Sequence, residues 1–401
     1  MHELINSFKE IMKYDFDKIT RRENTNSVKY DLREEYFGKA DVLPMWVADM
    51  DFETPGFIRS AIIKRAMHPI YGYTVRKDSF FDSIISWMKK MHDWKVEKDW
   101  ISFSPGIVPA LNMCILAFTK PGDKIMIQPP VYFPFFRAVK DHGRILTENV
   151  LLYKNGKYEI DFADFEKKAK DLSAFILCHP HNPVGRVWNY EELKKIVSIC
   201  KKNNVLILSD EIHSDLILPG NRHIPLLNIA GAEDISISMY APSKTFNLAG
   251  LSTSFLIIPD KNLKLKYDRV IDNLHMGMGN IFGNVALEAA YDHGEEWLEQ
   301  LLDYIQENID YLRDFLKNRI PEVKCIEPEA TYLVWLDFNS LGMDDRELKD
   351  FIIHKAGLGL NHGPVFGKGG EGFQRINVAS PRELLKKALL KLEEAIKALD
   401  K

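Results

Sequence analysis

The sequence predicts an α/β protein: a large domain with a mostly parallel sheet covered by helices, plus a smaller α+β domain. Three observations predict it. Between residues 100 and 260 short apolar runs alternate with amphipathic segments, the pattern of a parallel sheet covered on both faces. Beyond Phe282 long helical periodicity takes over. A chain of 401 residues also exceeds the size at which one hydrophobic core keeps growing, so two packed bodies are expected.

Taken in order, Glu53-Thr54-Pro55 followed by Phe57, Ile58, Ala61, Ile62 and Ile63 reads as a helix opening, with proline near the first turn. A second helix is expected over 80–91 and an apolar one over 110–117. Strands are expected at 125–127, 174–178, 205–208, 235–239 and 255–258. Between them, residues 190–203 carry Leu193, Ile196, Val197 and Cys200 on one helical face. A long helical stretch over 284–320 leads to a strand within 329–338, and helices over 344–356 and 381–399 flank a strand over 373–379. The expected division is an N-terminal segment, 1–53, packing with the small domain, a large ligand-binding domain, 54–285, and a small domain, 286–401.

Composition narrows the function classes. Hydrophobic residues are 46% and charged residues 27%, ordinary for a soluble globular protein. The 53 basic and 57 acidic side chains are interspersed and leave a formal charge of -4, so no field gathers nucleic acid or anionic lipid, and small-molecule partners are expected. Cys114, Cys178, Cys200 and Cys325 stand far apart in or beside apolar runs and read as buried free thiols. Residues 1–18 lack a basic-then-apolar targeting pattern, and no window reaches the ~20 apolar residues that span a bilayer. The cytoplasm is the expected location.

Ligands of an open parallel sheet bind beyond the carboxyl ends of its strands. There the sequence places His179-Pro180-His181-Asn182-Pro183, then Ser209-Asp210-Glu211-Ile212-His213, then Tyr240-Ala241-Pro242-Ser243-Lys244. Singly, Asn182 is a turn former, Asp210 a helix cap and Lys244 a surface lysine. Together, at the ends of successive strands, their side chains are expected to converge on one crevice. Upstream, Ser104-Pro105-Gly106-Ile107-Val108-Pro109 opens an apolar helix, and Pro129-Pro130-Val131-Tyr132-Phe133-Pro134 holds an aromatic ring in a stiff loop.

This constellation resembles the fold-type-I pyridoxal phosphate enzymes, the aminotransferase superfamily, across nearly the whole chain. The resemblance implies that Lys244 condenses with the cofactor aldehyde and, once released by an amino acid substrate, acts as the base at Cα. It implies that Asp210 faces the pyridine nitrogen, that Asn182 bonds the ring hydroxyl oxygen and lies near substrate, and that Tyr132 stacks on the ring. Gly106, Ile107 and Val108 would form the phosphate-binding turn, and Arg375, in Phe373-Gln374-Arg375-Ile376-Asn377, would grip the substrate α-carboxylate. Arg382 reads as a surface residue. Tyr71-Gly72-Tyr73-Thr74 resembles the segment a neighbouring subunit contributes to the phosphate, with Tyr73 the better aligned, which implies a symmetric homodimer with shared sites.

Leu43-Pro44-Met45-Trp46-Val47-Ala48-Asp49-Met50-Asp51-Phe52 resembles one branch, the cystathionine β-lyases or cysteine-S-conjugate β-lyases, and puts Ala48 beside the substrate. His213 stands where classical members have a tyrosine on the ring oxygen, and Ala241 replaces a phosphate-binding serine, a role Ser243 could take. The expected activity is therefore carbon-sulfur β-lysis. An aminotransferase of the same fold and a cofactor-binding regulatory protein are the alternatives. Trp46, Tyr332 and Phe366 are candidate pocket walls.

Overall fold

The computed structural model describes residues 14–399. The reading of residues 1–18 as lacking a targeting pattern lies outside these over 1–13, and the expected small domain lies outside them at its last two residues. The large sheet has seven strands in the order Ile101–Ser104, Ser254–Ile257, Ser236–Tyr240, Leu206–Asp210, Ala174–Cys178, Lys124–Ile127, Ile145–Glu148. Only Ser254–Ile257 runs against its neighbours, so the sheet is mostly parallel, and its central strands are buried throughout. Such burial on both faces explains why Ala174–Cys178 reads as a continuous apolar run, whereas Ser236–Tyr240 is equally buried with serines at alternate positions. Ile101–Ser104 and Ile145–Glu148 carry no such run, because the first has serines at alternate positions and the second is a partly exposed edge strand.

Helix Tyr190–Lys202 starts on a capping box in which Asn189 and Glu192 exchange side-chain and backbone hydrogen bonds. The expected continuous helix over 284–320 is two helices, Ile281–His293 and Glu295–Arg319, separated at Gly294. A Cβ at Gly294 would stand 2.3 Å from both the Ala290 carbonyl oxygen and the Phe246 ring, so the chain turns there around a core aromatic. The expected helix over 344–356 is likewise a regular piece, Asp345–Asp350, that widens into a π-helical turn, Phe351–Lys355.

A second, antiparallel sheet orders Lys324–Ile326, Leu333–Asp337, Phe373–Asn377 and Asn361–His362. Helices Glu295–Arg319 and Arg382–Lys397 pack with it in the largest hydrophobic cluster. Leu43 and Pro44 pair in parallel with Leu358 and Gly359, so the N-terminal segment joins this part of the molecule before crossing to the large sheet. Arg382 is not a plain surface residue: its Nε donates to Asn308 Oδ1 at 2.5 Å and its guanidinium lies 5.2 Å from the Tyr311 ring, which half-buries it. All four cysteines are free, three of them buried and Cys325 partly exposed. Among the described residues no helix is long and apolar enough to cross a membrane.

Candidate active site

Cys178 pairs with Asp210 and Asp210 with Met239, so three parallel strands end level and release their following turns on the same side. Into one cavity of about 200 Å³ these turns bring Asn182, Asp210, His213, Ser243 and Lys244. Gly106, Ile107, Val108, Tyr132 and Ala48 line the same cavity. Arg375 does not line the cavity itself but reaches its lining through Asn182, donating from Nη1 to Asn182 Oδ1 at 3.0 Å and from Nη2 to the Trp46 carbonyl at 2.9 Å and Asn361 Oδ1 at 2.5 Å. Its guanidinium lies 5.0 Å from the Phe366 ring, whereas Trp46 lines a neighbouring cavity with Phe133 and Ile352. Tyr73 is not in this cavity; it is 95% exposed on the segment before helix Asp78–His92.

The N-terminal segment contributes Ala48 to the cavity lining. Lys244 Nζ donates to the Ala48 carbonyl at 2.6 Å. Asp49, next along the chain, takes both guanidinium nitrogens of Arg22, and Asp51 takes Arg22 at 2.7 Å and the buried Lys29 at 2.7 Å. Burial pulls the Lys244 amine down to about 8, with Arg375 acting in the same direction and Asp49 and Asp210 against it. Burial pushes the Asp210 carboxyl up to about 7, and the Ile212 N–H on Oδ1 offsets only part of this. His213 is pulled down to about 3 by burial and by Lys244 and Arg375, so its ring is neutral. Burial lowers Arg375 to about 10, which leaves it a cation at neutral pH.

Residues 40–392 match the family described as aminotransferase class I and II. The chain belongs to this family. It is 44% identical to the cystathionine beta-lyase PatB of Bacillus subtilis over 95% of this chain and 99% of that one. Cystalysin of Treponema denticola, solved with pyridoxal 5'-phosphate, superposes with a TM-score of 0.94 at 38% identity, covering 97% of this chain and 100% of that one. The PLP-bound C-S lyase of Staphylococcus hominis superposes at 0.90 and 36% identity, covering 96% and 98%.

The cofactor of this aminotransferase family is pyridoxal phosphate, and the residues present fit it. Asp210 is buried and has no cation in hydrogen-bond reach among the described residues, a deficit that a protonated pyridine nitrogen would repair. His213 Nδ1 is buried without a partner. Gly106 has φ 163°, extended backbone open to any residue, and a Cβ there would meet nothing nearer than Pro109 at 3.4 Å. Neither conformation nor packing explains the glycine, which leaves the N-terminus of helix Ile107–Phe118 open on the cavity, where a bound phosphate would fit.

The cavity also holds Ser252 and Thr253, which no sequence motif marks. They follow Lys244 in an irregular stretch, and Ser252 adopts φ 47°, so no periodicity points to them. With Ser243 they belong to the same lining as the Gly106 turn. Tyr332, read as a wall, donates its hydroxyl to the Ala48 carbonyl at 3.0 Å.

Proposed function

We infer that this chain is a pyridoxal-phosphate-dependent carbon-sulfur β-lyase that cleaves cystathionine or related cysteine S-conjugates to a thiol, pyruvate and ammonia. The observation that carries the reading is the single cavity lined by Lys244, Asp210, Asn182 and Tyr132, with the Arg375 guanidinium hydrogen-bonded to Asn182. The 44% identity to a cystathionine beta-lyase over almost the whole chain supports lysis over transamination.

In this reading Asp210 holds the pyridine nitrogen, Asn182 the ring oxygen, Tyr132 the ring face, and Ile107 and Val108 with Ser243 the phosphate. His213, neutral, adds a polar edge. Bound there, the cofactor supplies an electron sink for a substrate carbanion. Arg375 and Asn182 hold the substrate carboxylate, with Ala48 lining the same side. The Lys244 amine takes the proton from Cα, the Cα–H electron pair moves toward Cβ, and the C–S pair leaves on sulfur. The thiolate acquires a proton, and the three-carbon enamine adds water to give pyruvate and ammonia. Purified holoenzyme given L-cystathionine should release thiol and pyruvate in equal amounts, and the Lys244→Ala protein neither; pyruvate-free turnover dependent on an added 2-oxo acid would replace the lyase reading with transamination.

The reading extends to a cytoplasmic homodimer. Ile70, Tyr71, Tyr73 and Val75 are exposed on one segment, a surface that association with a second copy would cover and that would place a tyrosine near that copy's phosphate turn. Residues 54–285 form the cofactor domain and 286–401, with 1–53, the smaller one in this scheme. Light scattering that returns the mass of one chain for active enzyme would rule out the dimer.

A further inference from the structure

Two donors end on one backbone oxygen in the lining of the cavity. The Ala48 carbonyl accepts from Lys244 Nζ at 2.6 Å and from the Tyr332 hydroxyl at 3.0 Å. A carbonyl oxygen has two lone pairs, so the lysine need not displace the tyrosine. The peptides on either side are pinned as well, because Asn377 Nδ2 donates to the Val47 carbonyl at 2.7 Å and the Asp49 carbonyl at 2.6 Å.

Tyr332 is fully buried, and its orientation is held at a cost. Thr331, directly before it, sits at φ 74°, an outlier for a β-branched residue. Contacts on both sides maintain that conformation: the Thr331 N–H donates to Leu216 O at 2.7 Å, and the Leu333 N–H to Thr331 Oγ1 at 3.0 Å. Strain of this kind persists where the surroundings over-determine a geometry, and here what it aims is the hydroxyl on Ala48.

We propose that Tyr332 is a positioning residue for proton abstraction, holding the Ala48 carbonyl as the acceptor on which the released Lys244 amine settles. The chemistry favours a carbonyl in this place. A carboxylate would hold the amine as ammonium, whereas a carbonyl takes one N–H from a neutral amine and leaves its lone pair directed elsewhere. Without the Tyr332 hydroxyl the acceptor keeps its backbone but loses the side-chain contact that sets its tilt, and the amine meets the Cα proton less often in line.

This inference rests on Lys244 as the base of the proposed lyase, and L-alanine tests it apart from lysis because alanine has no leaving group at Cβ. Holoenzyme incubated with L-alanine in deuterium oxide should exchange the α-proton, followed by NMR. Tyr332→Phe should slow the exchange about 10-fold or more while cofactor content and the visible absorbance band stay as in wild type. Thr331→Gly keeps the ring and hydroxyl of Tyr332, relieves the positive φ and removes the Thr331 Oγ1 acceptor of the Leu333 N–H; it should slow exchange at unchanged cofactor content with at most a modest fall in melting temperature, and it decides the matter if the phenylalanine variant does not fold. Exchange at the wild-type rate in a folded variant overturns the proposal, and so does a slowing that only follows cofactor loss. The lyase reading stands or falls separately, on thiol release from cystathionine.

Discussion

Arg375 Nη1 lies 3.0 Å from Asn182 Oδ1 and ties a strand of the C-terminal sheet to the turn that leaves the large sheet. Its Nη2 is spent on Trp46 and Asn361, and its buried Nε has no partner. A lysine cannot serve these directions from one nitrogen. Arg375→Lys should therefore lower kcat/KM for cystathionine by about 10–100-fold, the loss of one or two charged hydrogen bonds, chiefly through KM. Steady-state kinetics with an unchanged KM would remove Arg375 from carboxylate binding.

Asp210 gives the cofactor-free protein a pH signature. Burial raises its carboxyl from 3.8 to about 7. A raised folded pKa contributes stability that is fully present below the unfolded value and lost as pH rises through the folded one. Between about pH 4 and pH 8 the cofactor-free wild type should thus lose on the order of a few kcal/mol relative to Asp210→Asn. Urea midpoints of both proteins at the two pH values measure this, and parallel behaviour would contradict it. Cofactor binding should remove the difference by supplying a cation to the carboxylate.

Lys244 should be unusually reactive before the cofactor arrives. Burial lowers its amine from 10.5 to about 8, so a larger share is neutral near pH 8 than for a solvated lysine. An amine-acylating reagent applied to cofactor-free protein should modify Lys244 with a midpoint near that pH, read by peptide mass spectrometry. A midpoint close to that of surface lysines would refute the buried-amine picture.

Gly294 is a structural test of the same region. Its Cβ position is occupied by the Ala290 carbonyl and by Phe246, two residues beyond Lys244. Gly294→Ala should destabilise the fold by about 1–3 kcal/mol through overpacking. An unaltered urea midpoint would mean that the helix junction yields without cost.

Much of the site is legible in the amino-acid sequence, and for a local reason. Asn182, Asp210 and Lys244 each follow an apolar run, and level parallel strands bring such run ends together. The helix Tyr190–Lys202 is equally legible, since its capping box and apolar face lie within a few residues of one another.

What the sequence by itself determined was the alternation that makes the sheet, the order of the strand-end residues and the family to which they point. The tertiary structure alone decided where Gly294 breaks a helix, since the obstacle is Phe246, far away in the chain. It alone decided that Arg382 packs on aromatic rings, and that Ala48 receives Lys244 from 196 residues away and Tyr332 from 284. Periodicity reports neighbours along one element, whereas a backbone carbonyl has no side chain to announce itself. Its role exists only once the N-terminal segment has been laid across the cleft and two distant donors find the same oxygen.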